Sequence, residues 1–252
     1  MKLLYKDYEL PSIFLYENGY LTHTVEYGDK KTTNDNVTYV KAEDNHCYFF
    51  EADVLAKIND NKDNIFDFNK SILDIGANVG CYSFRSNFKN VYAFEPNVLV
   101  YHLLCVNLMI HNKFFNSKVY NVCLSDKIEK IEYDGARVKQ NYENQVYKDI
   151  SFEEDNSRYI DTMYTHTLDE YNCENVGLIK IDVEGYEEKV LRGGIGTIIK
   201  NNYPPILFEL WDVGYYGMTK EKHESLEKFL TNLGYKILWN WGDFETHLAI
   251  HN

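Results

Sequence analysis

The chain has 252 residues, 44% apolar and 26% charged, which is the balance of a globular protein and enough length for one α/β domain plus a small appendage. Its formal net charge is −13, with no long run of Lys or Arg, so most of the surface repels a phosphate backbone and no nucleic-acid partner is expected. Five scattered cysteines, none in a CxxC spacing, argue against a disulfide framework and a structural zinc site; they fit free thiols in a reducing compartment.

The first eleven residues, Met1 to Pro11, are broken by Lys6, Asp7 and Glu9 and carry no signal-peptide-like apolar stretch. No later segment is apolar for long enough to span a bilayer, so a cytoplasmic protein is expected. Short alternating pieces follow at Ile13–Tyr16, Thr22–Tyr27 and Asn36–Val40. Asn-Gly, Gly-Asp-Lys-Lys and Asn-Asp-Asn separate them, a pattern of hairpins. Residues 1–65 are therefore expected to form a small β-rich N-terminal cap, and residues 66–252 the main domain.

From Ser71 the texture changes to apolar runs alternating with helical patterns. Strands are predicted at Ser71–Ile75, Val91–Phe94, Val119–Leu124, Leu178–Val183, Pro205–Leu210, Lys236–Trp239 and His247–Ile250. One helix is predicted from Cys81 to about Phe88 and another over Val98–His111, where Val100, Leu103, Leu104, Asn107 and Leu108 share a face. A third begins near Tyr186 and carries Val190 and Leu191 inward. A fourth runs from about Lys220 to Leu233, with Thr219 as N-cap and Gly234 as the C′ glycine. Strands alternating with helices imply a doubly wound, mostly parallel sheet; the short Asn240–Thr246 connection implies an antiparallel last strand. The acidic stretch Gly135 to Asp161 reads as a long excursion over the ligand face.

Two strand ends carry the first chemical signal. Ile72-Leu73-Asp74-Ile75-Gly76-Ala77-Asn78-Val79-Gly80 is a buried strand running into a glycine turn and then a helix. Gly76 lets the backbone turn sharply, and Gly80 lets something approach the helix start. The spacing is GxxxG, and Asp74 stands two places before the first glycine. A carboxylate there repels pyrophosphate and suits a cationic or amino-bearing ligand. The second strand ends in Phe94-Glu95-Pro96-Asn97. Glu95 lies 21 residues beyond Asp74, where an α/β nucleotide fold places the carboxylate that takes two ribose hydroxyls.

The order of DIGANVG, FEPN, Asn121-Val122-Cys123-Leu124-Ser125-Asp126 and Thr167-Leu168-Asp169 resembles that of the FkbM-type methyltransferases. So do the following IKIDVEGYE (Ile179 to Glu187) and Ile206-Leu207-Phe208-Glu209-Leu210. The likeness covers roughly residues 70 to 212. It implies a class I methyltransferase, Rossmann-like fold, S-adenosylmethionine as cofactor, and an O-methyltransferase activity that many family members direct at glycans or glycosylated metabolites. By that resemblance Asp74, Gly76, Asn78 and Gly80 surround the methionine and ribose parts of the cofactor. Glu95 holds the ribose, Asn97 sits beside the adenosine, and Ser125 and Asp126 contact the adenine. Cys123 stands where a smaller residue is usual, and a thiol still packs against a ring.

Asp182 and Glu184 end the fourth strand and Glu209 the fifth, so three acids converge on one crevice and require a cation, whether sulfonium, ammonium, Lys or metal. Asp182 is assigned to the site beside the methyl group, with Glu184 and Glu209 orienting or deprotonating the acceptor. His166 and His247 are secondary base candidates. A divalent metal is the less favoured use of the same acids. Trp211, Tyr215, Tyr216, Trp239 and Trp241 suit stacking on sugar rings and core packing equally. A sugar or glycan hydroxyl is the expected acceptor. Three alternatives stay open: a small-metabolite or polyketide hydroxyl, a non-methyltransferase nucleotide-binding protein, and a non-catalytic binding domain of the same fold.

Overall fold

The computed structural model describes residues 52–133, 161–214, 218–242 and 245–251, and within the first fifty residues the course of seven strands. These are Leu4–Tyr5 (β1), Tyr8–Glu9 (β2), Ile13–Glu17 (β3), Tyr20–Tyr27 (β4), Lys30–Thr33 (β5), Tyr39–Lys41 (β6) and His46–Tyr48 (β7). They pair antiparallel, β1 with β2, β3–β4–β5 as a meander, and β6 with β7. A helix that the sequence pattern did not single out, Ala52–Asp60 (α1), follows. It buries Val54, Leu55 and Ile58 in the main core.

The central sheet has seven strands. In chain order the elements are Ser71–Ile75 (β8), Cys81–Arg85 (α2), Asn90–Phe94 (β9), Val98–Ile110 (α3), Ser117–Tyr120 (β10), Cys123–Leu124 (β11), Lys130–Tyr133 (β12), Asp161–His166 (β13) and Val176–Ile181 (β14). Glu187–Arg192 (α4), Ile195–Lys200 (α5), Ile206–Glu209 (β15), Lys220–Asn232 (α6), Tyr235–Leu238 (β16) and Thr246–His251 (β17) complete the chain. The sheet order is β10-β9-β8-β14-β15-β17-β16. The first five strands run parallel, and β17 lies antiparallel between β15 and β16, as the short final connection required.

Alternation along the strands divides the core into two layers. Ile72, Val91, Ala93, Leu178 and Leu207 pack under α1, α2 and α3. Leu73, Phe94, Ile179, Ile181 and Phe208 pack under α4, α5 and α6. Every residue of β8 and β14 is buried, which explains why they are apolar on both faces apart from Ser71, Asp74 and Lys180. α3 starts where the Asn97 side chain accepts the N–H groups of Leu99 and Val100, and it buries the five residues that its periodicity marked. α6 is capped by Thr219, which accepts from Lys222 N–H, and Gly234 follows it in a left-handed conformation at φ +88°.

Two predicted elements are corrected, and a third, which carries Val190 and Leu191 inward as expected, is extended by a second helix. Val119–Leu124 is not one strand. The Asn121 side chain donates to the carbonyls of Glu95 and Pro96, turning the chain across the tip of β9, and Cys123–Leu124 joins β13 and β12 in a second, three-stranded sheet. α2 stops at Arg85, because Asn87 N–H turns to the Asn59 side chain on α1 and Phe88 drops into the core against Phe68. The helix near Tyr186 is two helices broken at Gly193-Gly194. A Cβ on Gly193 would stand 2.1 Å from the Ser125 carbonyl, so the second sheet presses directly on the break. The excursion expected at 135–161 lies outside the described residues except for Asp161, which opens β13; β12 and β13 pair antiparallel.

Candidate active site

The tips of β8, β9 and β14 border one open cavity of about 110 Å³, several times the space a single water needs. Glu95 is a polar centre of its wall. Its Oε2 accepts the Asn78 N–H at 2.9 Å and its Oε1 accepts the Asn97 N–H at 2.8 Å. One carboxylate thereby fixes both the glycine turn after β8 and the turn into α3, with lone pairs remaining on both oxygens. Burial pushes its pKa up to about 7 against the lowering effect of the two N–H groups and of Lys180. Phe94, Val100, Val122, Cys123 and Leu124 give the cavity an apolar wall. Burial also lifts the Cys123 thiol to about 12, so it stays protonated and apolar.

The opposite wall is Gly76, Asp182, Val183, Glu184 and Tyr186, with Tyr133 nearby. Gly76 is obligatory. At φ +70° a Cβ would stand 1.7 Å from the Asp182 carbonyl, so the tips of β8 and β14 are in backbone contact here. The turn after β14 is left-handed at Glu184 (φ +57°) and Gly185 (φ +92°). Glu187, buried in the first turn of α4, holds that turn: its Oε1 accepts the N–H groups of Val183 and Gly185, both at 3.1 Å. Burial raises the Glu187 carboxyl to about 7.

Of the three acids expected to converge, Asp182 finds a cation within the sheet. Lys180 sits in register beside Asp74 on β14 and β8, and both belong to the face covered by α2. Its ammonium lies 3.4 Å from Asp182 Oδ2 and 3.8 Å from Asp74 Oδ1; it donates to the Gly76 carbonyl at 3.2 Å and stands over the Tyr82 ring. Asp74 is fully buried, its Oδ2 accepts from Ser83 Oγ at 2.6 Å, and it does not line the cavity. Desolvation raises its pKa, opposed chiefly by Lys180. Asp74, expected to face an amino-bearing ligand, has Lys180 and Ser83 as its partners within the protein. The sequence carried the signal, since a lone Lys in the otherwise apolar VGLIKI must find a buried acid.

Gly80, Ser125, Asp126 and Glu209 also stand off the cavity wall. Gly80 makes room for the protein itself, because a Cβ there would lie 2.4 Å from Leu104 of α3. Ser125 follows β11 in the second sheet, its N–H bonded to the His166 carbonyl, and its hydroxyl donates to Asp126. Glu209 pairs with Thr246 at the tip of β15. His166 lies at the surface 3.6 Å from Glu170, and buried His247 accepts the Asn240 N–H on Nδ1 and packs against Phe208 and Trp239. Trp241 packs edge-on against Phe66 beneath α1, which makes it core, while Trp211 packs against the layer under α6. Tyr215 and Tyr216 lie outside the described residues. Among the described residues no group of three or more His, Cys, Asp or Glu side chains is placed to hold a metal, and no helix is long and apolar enough to cross a membrane.

A parallel sheet of this order, with a glycine turn after its first strand and an acid at the tip of its second, defines a class I, S-adenosylmethionine-dependent methyltransferase fold. The chain belongs to the FkbM methyltransferase family: the model of the methyltransferase FkbM domain matches residues 74–237, more than half of the sequence. Among solved structures it is similar to methyltransferase FkbM from Methylobacillus flagellatus KT, with 15% identity, 77% of this chain and 47% of that one covered, and a TM-score of 0.51. The chain thus spans about half the length of that structure. Precorrin-6y C5,15-methyltransferase from Geobacter metallireducens GS-15 is also similar, at 12% identity over 81% of this chain and 88% of that one, with a TM-score of 0.44. A comparison with curated proteins found no match.

Proposed function

We propose that this methyltransferase transfers the methyl group of S-adenosylmethionine to a hydroxyl of a sugar or glycan. The observation that carries the cofactor half is Glu95, a carboxylate held by two backbone N–H groups at the edge of a cavity with an apolar wall. That arrangement fits a nucleoside: two acceptor oxygens match two vicinal ribose hydroxyls, and the Phe94–Val100–Leu124 wall fits an adenine ring. Asn78 and Asn97 orient Glu95 through their N–H groups, and Gly76 with Asp182 borders the amino-acid end. S-adenosylmethionine, when bound, supplies an electrophilic methyl carbon on a cationic sulfur.

The acceptor half rests on the acidic wall and on the habit of the family, many of whose members methylate glycans. A sugar hydroxyl becomes a competent nucleophile as its proton leaves, and Glu184 is the cavity carboxylate that takes that proton. Its left-handed backbone, secured by Gly185 and Glu187, holds it in place. Asp182, tied to Lys180, faces the reacting carbon as a fixed negative charge. Tyr133 and Tyr186 offer apolar faces to a pyranose ring. Glu209, one strand further along, orients an acceptor that extends beyond the cavity, and Ser125 and Asp126 support the adenine side from behind Leu124. On this reading no metal is required, residues 1–65 act as a cap, and the protein works in a reducing, cytoplasmic setting.

The test has two arms. S-adenosylhomocysteine binds the wild type in calorimetry and fails to bind Glu95→Ala; binding of neither cofactor form to the wild type overturns the cofactor half. Radiolabelled methyl transfer to a glycan panel, undiminished after EDTA, supports the acceptor half. Transfer to small alcohols or phenols with none to glycans overturns it.

A further inference from the structure

Buried lysines are rare, and one that carries no catalytic proton needs a reason. Lys180 lies inside the sheet with its ammonium between two carboxylates, one sealed (Asp74) and one on the cavity wall (Asp182). It is not a cavity-lining residue, so anything it does to a ligand it does through Asp182 and through its field. That field reaches Glu95 as well, whose ionised form it favours. Methyl transfer from a sulfonium to a hydroxyl disperses a positive charge. A strongly negative site therefore stabilises the cationic ground state more than the transition state, and that preference opposes the reaction. A fixed internal cation removes part of it without occupying the cavity.

We propose that Lys180 is a positioning residue that sets how strongly the site distinguishes the cationic sulfonium cofactor from its neutral thioether product, by offsetting the charge of Asp182 from inside the sheet. The inference rests on the cofactor half of the reading above. It assigns to Lys180 a role in charge selectivity, separate from its packing against Tyr82 and its bond to Gly76.

The experiment measures the ratio Kd(S-adenosylhomocysteine)/Kd(S-adenosylmethionine) by calorimetry in the wild type and four variants. Lys180→Gln removes the charge and keeps a donor for Gly76. Asp74→Asn with Lys180→Met removes the buried pair together, so no lone acid is left inside the sheet to unfold it. In Lys180→Gln the ratio rises by about three- to tenfold, because Asp182 faces the sulfonium without its counter-charge. The double variant keeps the wild type's net charge, and its ratio rises by a smaller factor, at least about twofold, because the lost ammonium lies against Asp182 whereas the lost carboxylate is sealed in the sheet. Asp182→Asn leaves Lys180 balanced by Asp74 alone, the cavity wall loses its negative charge, and the ratio falls. Lys180→Arg keeps the charge and leaves the ratio within about twofold of the wild type. If Lys180→Gln fails to fold, the rise in the double variant decides. Equal weakening of both ligands, with the ratio constant across every folded variant, overturns the proposal and leaves the cofactor reading standing. Binding of neither ligand to the wild type overturns both.

Discussion

Asn78 N–H donates to Glu95 Oε2 across 2.9 Å, and this single contact joins the glycine turn after β8 to the tip of β9. Asn78 makes it from a left-handed backbone at φ +50°, a region that Asn enters at small cost, and its own Oδ1 accepts the next N–H, that of Val79. The turn and the carboxylate are thus built as one unit, and the ionisation of Glu95 bears on both stability and binding.

The first prediction is the pH dependence that follows. Glu95 and Glu187 are each raised from 4.5 to about 7 in the folded chain. Between those values the folded state holds protons that the unfolded state has lost, so stability falls as pH rises through that window and levels off above it. Cofactor affinity runs the other way if Glu95 must be ionised to accept two hydroxyls, rising from pH 6 to 8. Thermal melts and S-adenosylhomocysteine calorimetry across pH 5.5–8.5 check both signs. Glu95→Gln removes about half of the stability slope and flattens the binding profile, with affinity about ten- to a hundredfold lower. A binding profile in Glu95→Gln as steep as the wild type's assigns the titration to another group.

Glu187 yields a second prediction, because its Oε1 is the acceptor for two N–H groups of the turn that carries Glu184. Glu187→Ala leaves both donors buried without it and costs about 1–3 kcal/mol of stability in denaturant melts. Glu187→Gln retains an acceptor oxygen and recovers most of that loss. Methyl transfer falls in Glu187→Ala by more than cofactor affinity does, since the turn faces the acceptor side. Equal losses in kcat and in S-adenosylhomocysteine affinity place the effect in the sheet as a whole.

The frame of this site was legible in the chain because its signals are local. β8, β9, β14 and α3 declare themselves by largely apolar runs or helical periodicity, and Gly76 and Glu95 stand at strand ends, where ligands of such sheets bind. What was not legible depends on side chains meeting across the sequence. Asn121 belongs to an apparent strand until its amide is seen on the carbonyls of Glu95 and Pro96, far back in the chain. Lys180 beside Asp74 and Leu104 against Gly80 are likewise meetings of residues far apart in the chain. α1 was hidden because its short apolar face follows a run of hairpins and gains its stability from packing beneath the sheet.

Two glycines of the site separate steric from conformational demands, which gives the third prediction. Gly76→Ala meets the Asp182 carbonyl at 1.7 Å and must also hold φ +70°, so it costs more than about 3 kcal/mol or abolishes folding. Gly185→Ala meets nothing within 4 Å and bears only its φ of +92°, a cost of about 1 kcal/mol. Chemical denaturation of the two variants ranks them. A Gly185→Ala loss as large as that of Gly76→Ala shows that this turn is crowded.

The last prediction concerns how the glycine turn after β8 leans on α3. A Cβ at Gly80 would lie 2.4 Å from Leu104 Cδ1, and Leu104 is fully buried in the layer under α3, so neither side can withdraw freely. Leu104→Ala alone opens a cavity and costs about 2–5 kcal/mol. Gly80→Ala alone combines a clash with the strain of φ +94°. In the double variant the new methyl group enters the space that Leu104 vacated, so only the backbone strain and part of the cavity remain. The two changes therefore cost at least about 1 kcal/mol less together than the sum of the singles. Denaturant melts of the four proteins measure that coupling. Strict additivity means that the turn and helix are held apart by something other than this contact, and Gly80 then owes its place to its backbone angle alone.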